Sequence, residues 1–80
     1  MRQAASEYQL RAFRNDGELS LVMLTPALNN EDARAQATAL ISGEVPTVEI
    51  WLSESLVDTL RFRRSTIVSS VVGERRVPKA

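Results

Sequence analysis

The chain contains neither cysteine nor histidine. Without cysteine it has no disulfide and no thiolate metal site. Without either residue, only carboxylates remain as metal ligands, and carboxylates favour hard cations. The serines also lack a base that would activate them as nucleophiles. We therefore predict no catalytic residue, no metal site and no cofactor, and we expect that the protein is not an enzyme.

Long apolar runs are absent as well. No run approaches the roughly 20 residues that cross a membrane. The first ten residues, MRQAASEYQL, also lack the apolar segment of a secretory signal. At 80 residues the chain forms one small domain. We expect a cytoplasmic protein without a membrane partner.

Positive charge is scarce in most of the chain and concentrated at its end. Residues 1–60 carry four basic and nine acidic side chains, whereas residues 61–80 carry six basic and one acidic. The formal net charge is zero, so the two parts offset each other. An acidic body with a basic tail is typical of a chain that carries an interaction segment.

What the chain does have is a clear alternation of apolar and polar residues in its first third. Residues 8–13 alternate, with Tyr8 beginning the apolar face and Phe13 on the other face. Asn15-Asp16-Gly17 follows and predicts a tight hairpin turn. Residues 19–24 are apolar on both faces, which is typical of an interior strand or of one covered on its second face. Pro26 is expected to end that strand.

A helix is predicted after this hairpin. Asn29-Asn30-Glu31-Asp32 is typical of a helix start, because asparagine accepts hydrogen bonds from free amides and acids complement the dipole. Ala33, Ala37, Leu40 and Ile41 form an apolar stripe at helical spacing. Gly43 is predicted to end the helix in a left-handed cap.

A second hairpin is predicted over residues 47–62. Residues 47–52 are rich in β-forming residues, and Ser53-Glu54 forms the turn. A two-residue turn places Trp51 opposite Leu56 and Glu49 opposite Asp58. The second pairing juxtaposes two acids, which is mildly unfavourable.

The resulting order, ββαββ, predicts an α+β fold. We expect one four-stranded, mostly antiparallel sheet, with a preferred strand order of 2-1-3-4 and a single helix on one face. The predicted domain spans residues 7–62. Residues 63–80 form a basic C-terminal tail that is partly ordered at 65–72, where a strand is favoured over a helix. Gly73 is expected to break this segment, and residues 74–80 are expected to be disordered.

Three segments together resemble a group of very short uncharacterised proteins that are common in rhizobia and related alphaproteobacteria. They are the hairpin with its Asn-Asp-Gly turn, the helix EDARAQATALI and the hairpin VEIWLSESLVDTLR. The resemblance covers roughly residues 7–61 and implies a bacterial protein. It implies no activity and no functional residues, and the long tail departs from the usual member.

The second face of the sheet is one candidate binding surface. A single helix covers only one face, and an apolar patch on the other face is typical of an interface. The main alternative is that Trp51 packs in the core. We predict a protein-interaction module that binds a protein partner or itself, for example as a homodimer. Its candidate interface residues are Trp51, Phe13, Val22, Leu24, Ile67, Val68 and Val71.

The basic tail is the second candidate. Basic residues interleaved with Phe62 are typical of segments that contact phosphates and stack on bases. The alternative is a solvated strand end that keeps the protein soluble. Weak nucleic-acid binding is therefore our second prediction, with contacts from Arg61, Arg63, Arg64, Arg75, Arg76 and Lys79.

Paired carboxylates are the third candidate. Two acids serve acid–base catalysis when their environments separate their pKa values. Glu49 and Asp58 are interpreted as a solvated pair instead. Glu31 and Asp32 are interpreted as helix-capping residues.

Overall fold

The computed structural model of the protein describes residues 4–76, with side chains described through residue 72. Within this range six strands form one sheet, and a single helix packs against it. The elements are β1 (Ser6–Phe13), β2 (Leu19–Ala27), α1 (Asn30–Thr38), β3 (Thr47–Leu52), β4 (Ser55–Arg63), β5 (Thr66–Ser69) and β6 (Gly73–Arg76).

The strand order is β2-β1-β3-β4-β5-β6, and each neighbouring pair is antiparallel. Strands β2 and β3 both run opposite to β1, so they are parallel to each other and α1 connects them across β1. The α+β class and the order of the first four strands are confirmed. The prediction of only four strands is wrong, because β5 and β6 extend the sheet beyond β4.

The predicted domain boundary at residue 62 is also wrong. Strand β4 runs through this position, and a tight turn at Arg64-Ser65 leads directly into β5. Both turn residues are left-handed, with φ of 49° and 66°, as a hairpin turn of mirror-image type requires. The strand predicted within 65–72 is confirmed as β5, whereas Gly73 begins β6 instead of breaking the segment. Disorder was expected for residues 74–80, but residues 74–76 belong to β6 and residues 77–80 lie outside the described range.

The first hairpin forms as predicted. Gly17 has a φ of 86°, which a residue without a Cβ adopts freely. The Arg14 amide donates to the Glu18 carbonyl at 2.8 Å, and the Glu18 amide donates to Asp16 Oδ1 at 2.9 Å. Strand β2 ends one residue after Pro26, which it accommodates because β2 is an edge strand.

The second hairpin contains a β-bulge that the sequence does not reveal. Trp51 faces Leu56 as predicted, but beyond the bulge Ile50 faces Asp58 and Glu49 faces Thr59. The predicted pairing of Glu49 with Asp58 is therefore wrong. The bulge turns Asp58 toward the helix-covered face, whereas Glu49 stays on the opposite face with Trp51.

Helix α1 begins as the sequence predicts. Asn29 is the N-cap, and its Oδ1 accepts from the Asp32 amide at 2.8 Å. In return, Asp32 Oδ2 accepts from the Leu28 amide at 2.8 Å. Both contacts satisfy backbone donors that have no partner within the helix.

The helix ends earlier than predicted. Its last residue is Thr38, and Ala39 caps it in a right-handed conformation. The amides of residues 39–41 bond to carbonyls three residues earlier, which tightens the last turn. The left-handed cap predicted at Gly43 is therefore wrong, and Leu40 and Ile41 pack against the core from the loop.

The core lies between α1 and the covered face of the sheet. The smallest buried side chains, Ala33 and Ala37, let the helix lie close to the strands. The Tyr8 hydroxyl reaches the start of the helix and donates to Asn30 Oδ1 at 2.8 Å. The buried apolar residues are Tyr8, Leu10, Ala12, Ala27, Ala33, Ala37, Val48, Ile50, Leu60 and Ile67.

Replacing the N-cap tests how far the local contacts stabilise this short helix. We expect Asn29→Ala to lower the free energy of unfolding by about 1 kcal/mol, because the Asp32 amide loses its acceptor. Asn29→Ser keeps an acceptor and serves as the control. Urea unfolding monitored by circular dichroism measures both, and equal stabilities of the two variants would contradict the capping role.

Candidate interaction surface

Strand β2 forms one edge of the sheet and pairs only with β1 among the described strands. Four of its apolar side chains are largely exposed: Leu19 by 52%, Leu21 by 44%, Val22 by 44% and Leu24 by 59%. No charged residue lies between Glu18 and Glu31. The edge of the sheet that β2 forms is therefore apolar and carries no charge.

The first half of β2 is exposed on both faces because the helix covers only the end of this strand. Gln36 of α1 contacts the last part of the strand, where its Oε1 accepts from Thr25 Oγ1 at 2.5 Å and its Nε2 donates to the Pro26 carbonyl at 2.9 Å. Leu21 lies beyond this contact on the helix side and stays exposed. The expectation that this strand is interior, or covered on its second face, is wrong.

The face of the sheet opposite the helix, here called the open face, carries most of the predicted interface. Strand registers place Phe13, Val22, Leu24, Trp51 and Val68 on it. Val22 and Leu24 are the most exposed of these, whereas the other three are partly buried. The predicted residues thus share one face, and the exposed part of it lies on β2.

Trp51 is engaged by its neighbours on the open face. The guanidinium carbon of Arg11 lies 4.8 Å from the ring centroid, a distance typical of a cation–π contact. The indole N–H donates to Glu49 Oε1 at 3.0 Å. These contacts hold the ring in place and cover part of its surface.

The other two predicted interface residues lie elsewhere. Ile67 is buried on the helix side and belongs to the core, so its assignment to an exposed interface is wrong. Val71 lies in the turn after β5 and is 63% exposed. It is therefore separate from the exposed part of β2.

The basic residues form a second surface around the β4–β5 hairpin. Arg61 and Arg63 are exposed on the open face of β4, and Arg64 occupies the turn. None of the three forms an ion pair within the described residues. Arg75 and Arg76 lie in β6, opposite Ile67 and Thr66 in register, and Lys79 lies outside the described range.

Asp58 is a feature that the sequence prediction missed, because the bulge changes its partners. Its carboxylate is buried and accepts hydrogen bonds from Arg34 Nε at 2.7 Å and from Ser69 Oγ. The backbone amides of Thr59 and Val71 also donate to it, at 2.8 Å and 3.2 Å. The sequence did contain a signal, because Asp58 shares one face of its strand with Leu60 and Phe62 and is thus an acid at a core-facing position.

These contacts set the ionisation of Asp58. Burial alone raises its pKa, but the hydrogen bonds from Ser69, Arg34 and Thr59 and the charge of Arg34 outweigh burial. The pKa of Asp58 therefore lies below its ordinary value of 3.8. A fully bonded carboxylate beside a counter-ion stays charged, so this site is structural rather than acid–base in character.

Two of the other candidate acids also form local contacts. Asp32 caps the helix, and Glu49 accepts from the Trp51 indole on the open face. Among the side chains that the structure describes, no group of three or more acids is placed to hold a metal ion. No described helix is long and apolar enough to cross a membrane.

Comparison with known proteins adds nothing to this picture. No family model, curated protein or solved structure matches the chain. The resemblance to rhizobial proteins therefore stays a prediction, and the function has to be argued from the surface itself.

The Asp58 site predicts a specific acid sensitivity. Because the pKa of Asp58 is lower in the folded state, its contribution is present above about pH 4 and lost as the pH falls through the folded pKa. We expect Asp58→Asn to be less stable than the unmodified protein by about 3 kcal/mol at pH 7, since Arg34 loses its counter-ion. That difference should narrow below about pH 4. Urea unfolding at a series of pH values measures the gap, and a gap independent of pH would contradict this role.

Proposed function

We propose that this protein is a cytoplasmic, non-enzymatic interaction module that self-associates by adding a strand at the outer edge of β2. The observation that carries this proposal is the exposed, uncharged edge strand Leu19–Ala27. The unpaired N–H and C=O groups of an edge strand are a template for pairing with another chain. Strand addition draws affinity from these backbone groups and specificity from alternate side chains.

The character of β2 supports binding because natural proteins usually protect such an edge. Common protections are inward-pointing charges, lysines on the edge, bulges and very short strands. Strand β2 has nine residues and no charged side chain, and its one proline lies near its end. The single register shift against β1 lies at the other end, between Ala12 and Phe13. The middle of the strand is therefore unprotected.

The open face contributes the apolar side-chain contacts of the proposed interface. Val22 and Leu24 point to this face, next to Arg11 and Gln9 of β1. Trp51 lies one strand further in and is partly covered by Arg11. We therefore assign the main apolar contacts to Val22 and Leu24, with Trp51 as a supporting residue.

A lysine on the edge tests this proposal. We expect Leu24→Lys to reduce the mass in solution from about twice the 8.9 kDa of one chain to that of the monomer, because a charge on an edge strand opposes pairing. Multi-angle light scattering over a concentration series measures the mass. Val71→Lys introduces the same charge at an exposed apolar residue of the 70–72 turn and should leave the mass unchanged.

Two results would contradict the proposal. One is an unmodified protein that stays monomeric over the whole concentration series. The other is an association that both lysine variants weaken equally, because the edge would then contribute nothing specific.

Nucleic-acid binding is our second proposal, and one observation favours it. Arg61, Arg63 and Arg64 are exposed around one hairpin, and no acidic residue occurs between residues 59 and 72. Their charges are therefore available to phosphates, whose neutralisation dominates the affinity of such complexes. The small number of cations is consistent with weak binding.

Fluorescence anisotropy with a labelled single-stranded oligonucleotide tests this second proposal. Binding should weaken steeply between about 50 and 200 mM salt, as counter-ion release requires. Arg63→Gln should weaken binding, whereas Arg14→Gln, which removes the same charge from the first hairpin, should not. Substitution is preferable to truncation, because β5 and β6 are strands of the sheet. Absence of binding at low salt would end this proposal.

A further inference from the structure

The end of the open face beside the β4–β5 hairpin combines exposed arginines with an aromatic ring. Building on the nucleic-acid binding that is our second proposal above, we infer that the ligand is a single strand of nucleic acid. Its phosphates lie on Arg61 and Arg63, and one of its bases stacks on Phe13. Three features support this assignment: the regular register of these strands, the charges that they carry and the position of the ring.

The strands β1, β3, β4 and β5 pair without interruption at this end of the sheet. The two register shifts lie elsewhere, one between β1 and β2 and one at Ile50 and Trp51. One row of paired residues runs across the four strands and is buried on the helix side: Ala12, Val48, Leu60 and Ser69. Because side chains alternate between the two faces, the adjacent row points to the open face. This second row consists of Phe13, Thr47, Arg61 and Val68.

Arg61 and Arg63 place two positive charges on the open face of β4. Both side chains are exposed, and neither forms an ion pair within the described residues. Positions two apart on a strand are separated by about 7 Å, so the two arginines can contact neighbouring phosphates of one nucleic-acid strand. An open hollow beside them is lined by Arg63, Arg64, Thr66 and Val68 and gives room for a phosphate group.

The acids near these arginines are offset by basic residues. Glu49 lies in the next row of the open face, where it faces Arg11 in register and accepts from the Trp51 indole. In β6 an acid and a base, Glu74 and Arg76, pair in register with Val68 and Thr66 of β5, so these two positions add no net charge. The charge that remains at this end of the face is positive and therefore complements a phosphate chain.

Phe13 supplies a ring in the same row as Arg61. Thr47 separates the two residues, so their Cα atoms lie about 10 Å apart, which is twice the spacing of neighbouring strands. Because threonine is short, the space between the ring and the arginine is open. Phe13 is partly exposed. A sugar and base attached to a phosphate at Arg61 can therefore reach the ring.

A single strand suits this arrangement better than a duplex. The bases of a single strand are free to stack on aromatic side chains, and they do so with little sequence preference. Within a duplex the faces of the bases are stacked on one another and cannot reach a ring on a flat sheet. Trp51 is not assigned this role, because the Arg11 guanidinium already lies 4.8 Å from the centroid of its ring.

Two single strands test the inference on the unmodified protein. One is a labelled oligonucleotide of about ten thymidines, and the other is a chain of the same length whose sugars carry no bases. Fluorescence anisotropy at low salt measures the dissociation constant of each. We expect the thymidine strand to bind about fivefold more tightly or better, because both strands offer phosphates but only one offers bases. A duplex of the same length should bind no better than the chain without bases.

Replacing the ring shows where the base lies. We expect Phe13→Leu to weaken binding of the thymidine strand about fivefold and to leave binding of the chain without bases unchanged, because leucine is apolar but cannot stack. Phe13→Tyr keeps an aromatic ring and serves as the control, which should bind both strands as the unmodified protein does. Circular dichroism checks that each variant is folded.

The outcomes separate this inference from the nucleic-acid proposal on which it rests. A preference for the thymidine strand that Phe13→Leu abolishes and Phe13→Tyr retains supports both. Equal binding of the two strands, a preference that Phe13→Leu leaves intact, or a duplex that binds as tightly as the thymidine strand overturns the stacking. In those cases phosphate binding by Arg63 still stands. No binding of any of the three probes at low salt overturns the nucleic-acid proposal, and the stacking with it.

Discussion

The ion pair between Arg34 and Asp58 fixes how the helix lies on the sheet. It is the only salt bridge in the described part of the chain, and the Asp58 side chain is fully buried. Apart from this pair and the hydrogen bonds of Asn30 and Gln36, the helix presents two alanines to the core, which contribute little apolar area and no direction. Charge-assisted hydrogen bonds have a defined geometry, so Arg34 sets the position of α1 over β4. Through Ser69 and the Val71 amide, the same carboxylate also ties β5 and the following turn to the core.

The candidate binding surface follows from that placement. The short helix packs against β3, β4 and β2, and its Gln36 side chain hydrogen-bonds to Thr25 and Pro26 near the end of β2. The first half of β2 therefore lies beyond the helix, and its apolar side chains remain exposed on both faces. The edge is thus exposed because the one short helix of a small domain cannot cover the whole face of a wide sheet.

The sequence predictions were correct where a feature depends on residues close together in the chain, and wrong where it depends on distant residues. The Asn15-Asp16-Gly17 turn and the Asn29 cap were predicted because both depend on residues within a few positions of each other. The register of the second hairpin was predicted only near its turn, because a bulge at Ile50 and Trp51 shifts everything beyond it. The basic tail was read as separate, although Arg64 and Ser65 adopt left-handed angles that return the chain to the sheet. Arginine and serine are not typical of such a turn, so the residue types did not predict it.

The sequence by itself determined the first four strands, the start of the helix, the order of these elements and the absence of charge along β2. Periodicity, turns and caps are local properties that side chains impose on their own segment. Only the tertiary structure decided that Asp58 is a buried partner of Arg34, that Ile67 is core, and that β2 is an uncovered edge. Those features depend on contacts between residues far apart in the chain. Whether an apolar strand is a core element or a binding edge depends on what lies beside it, and only the fold specifies that.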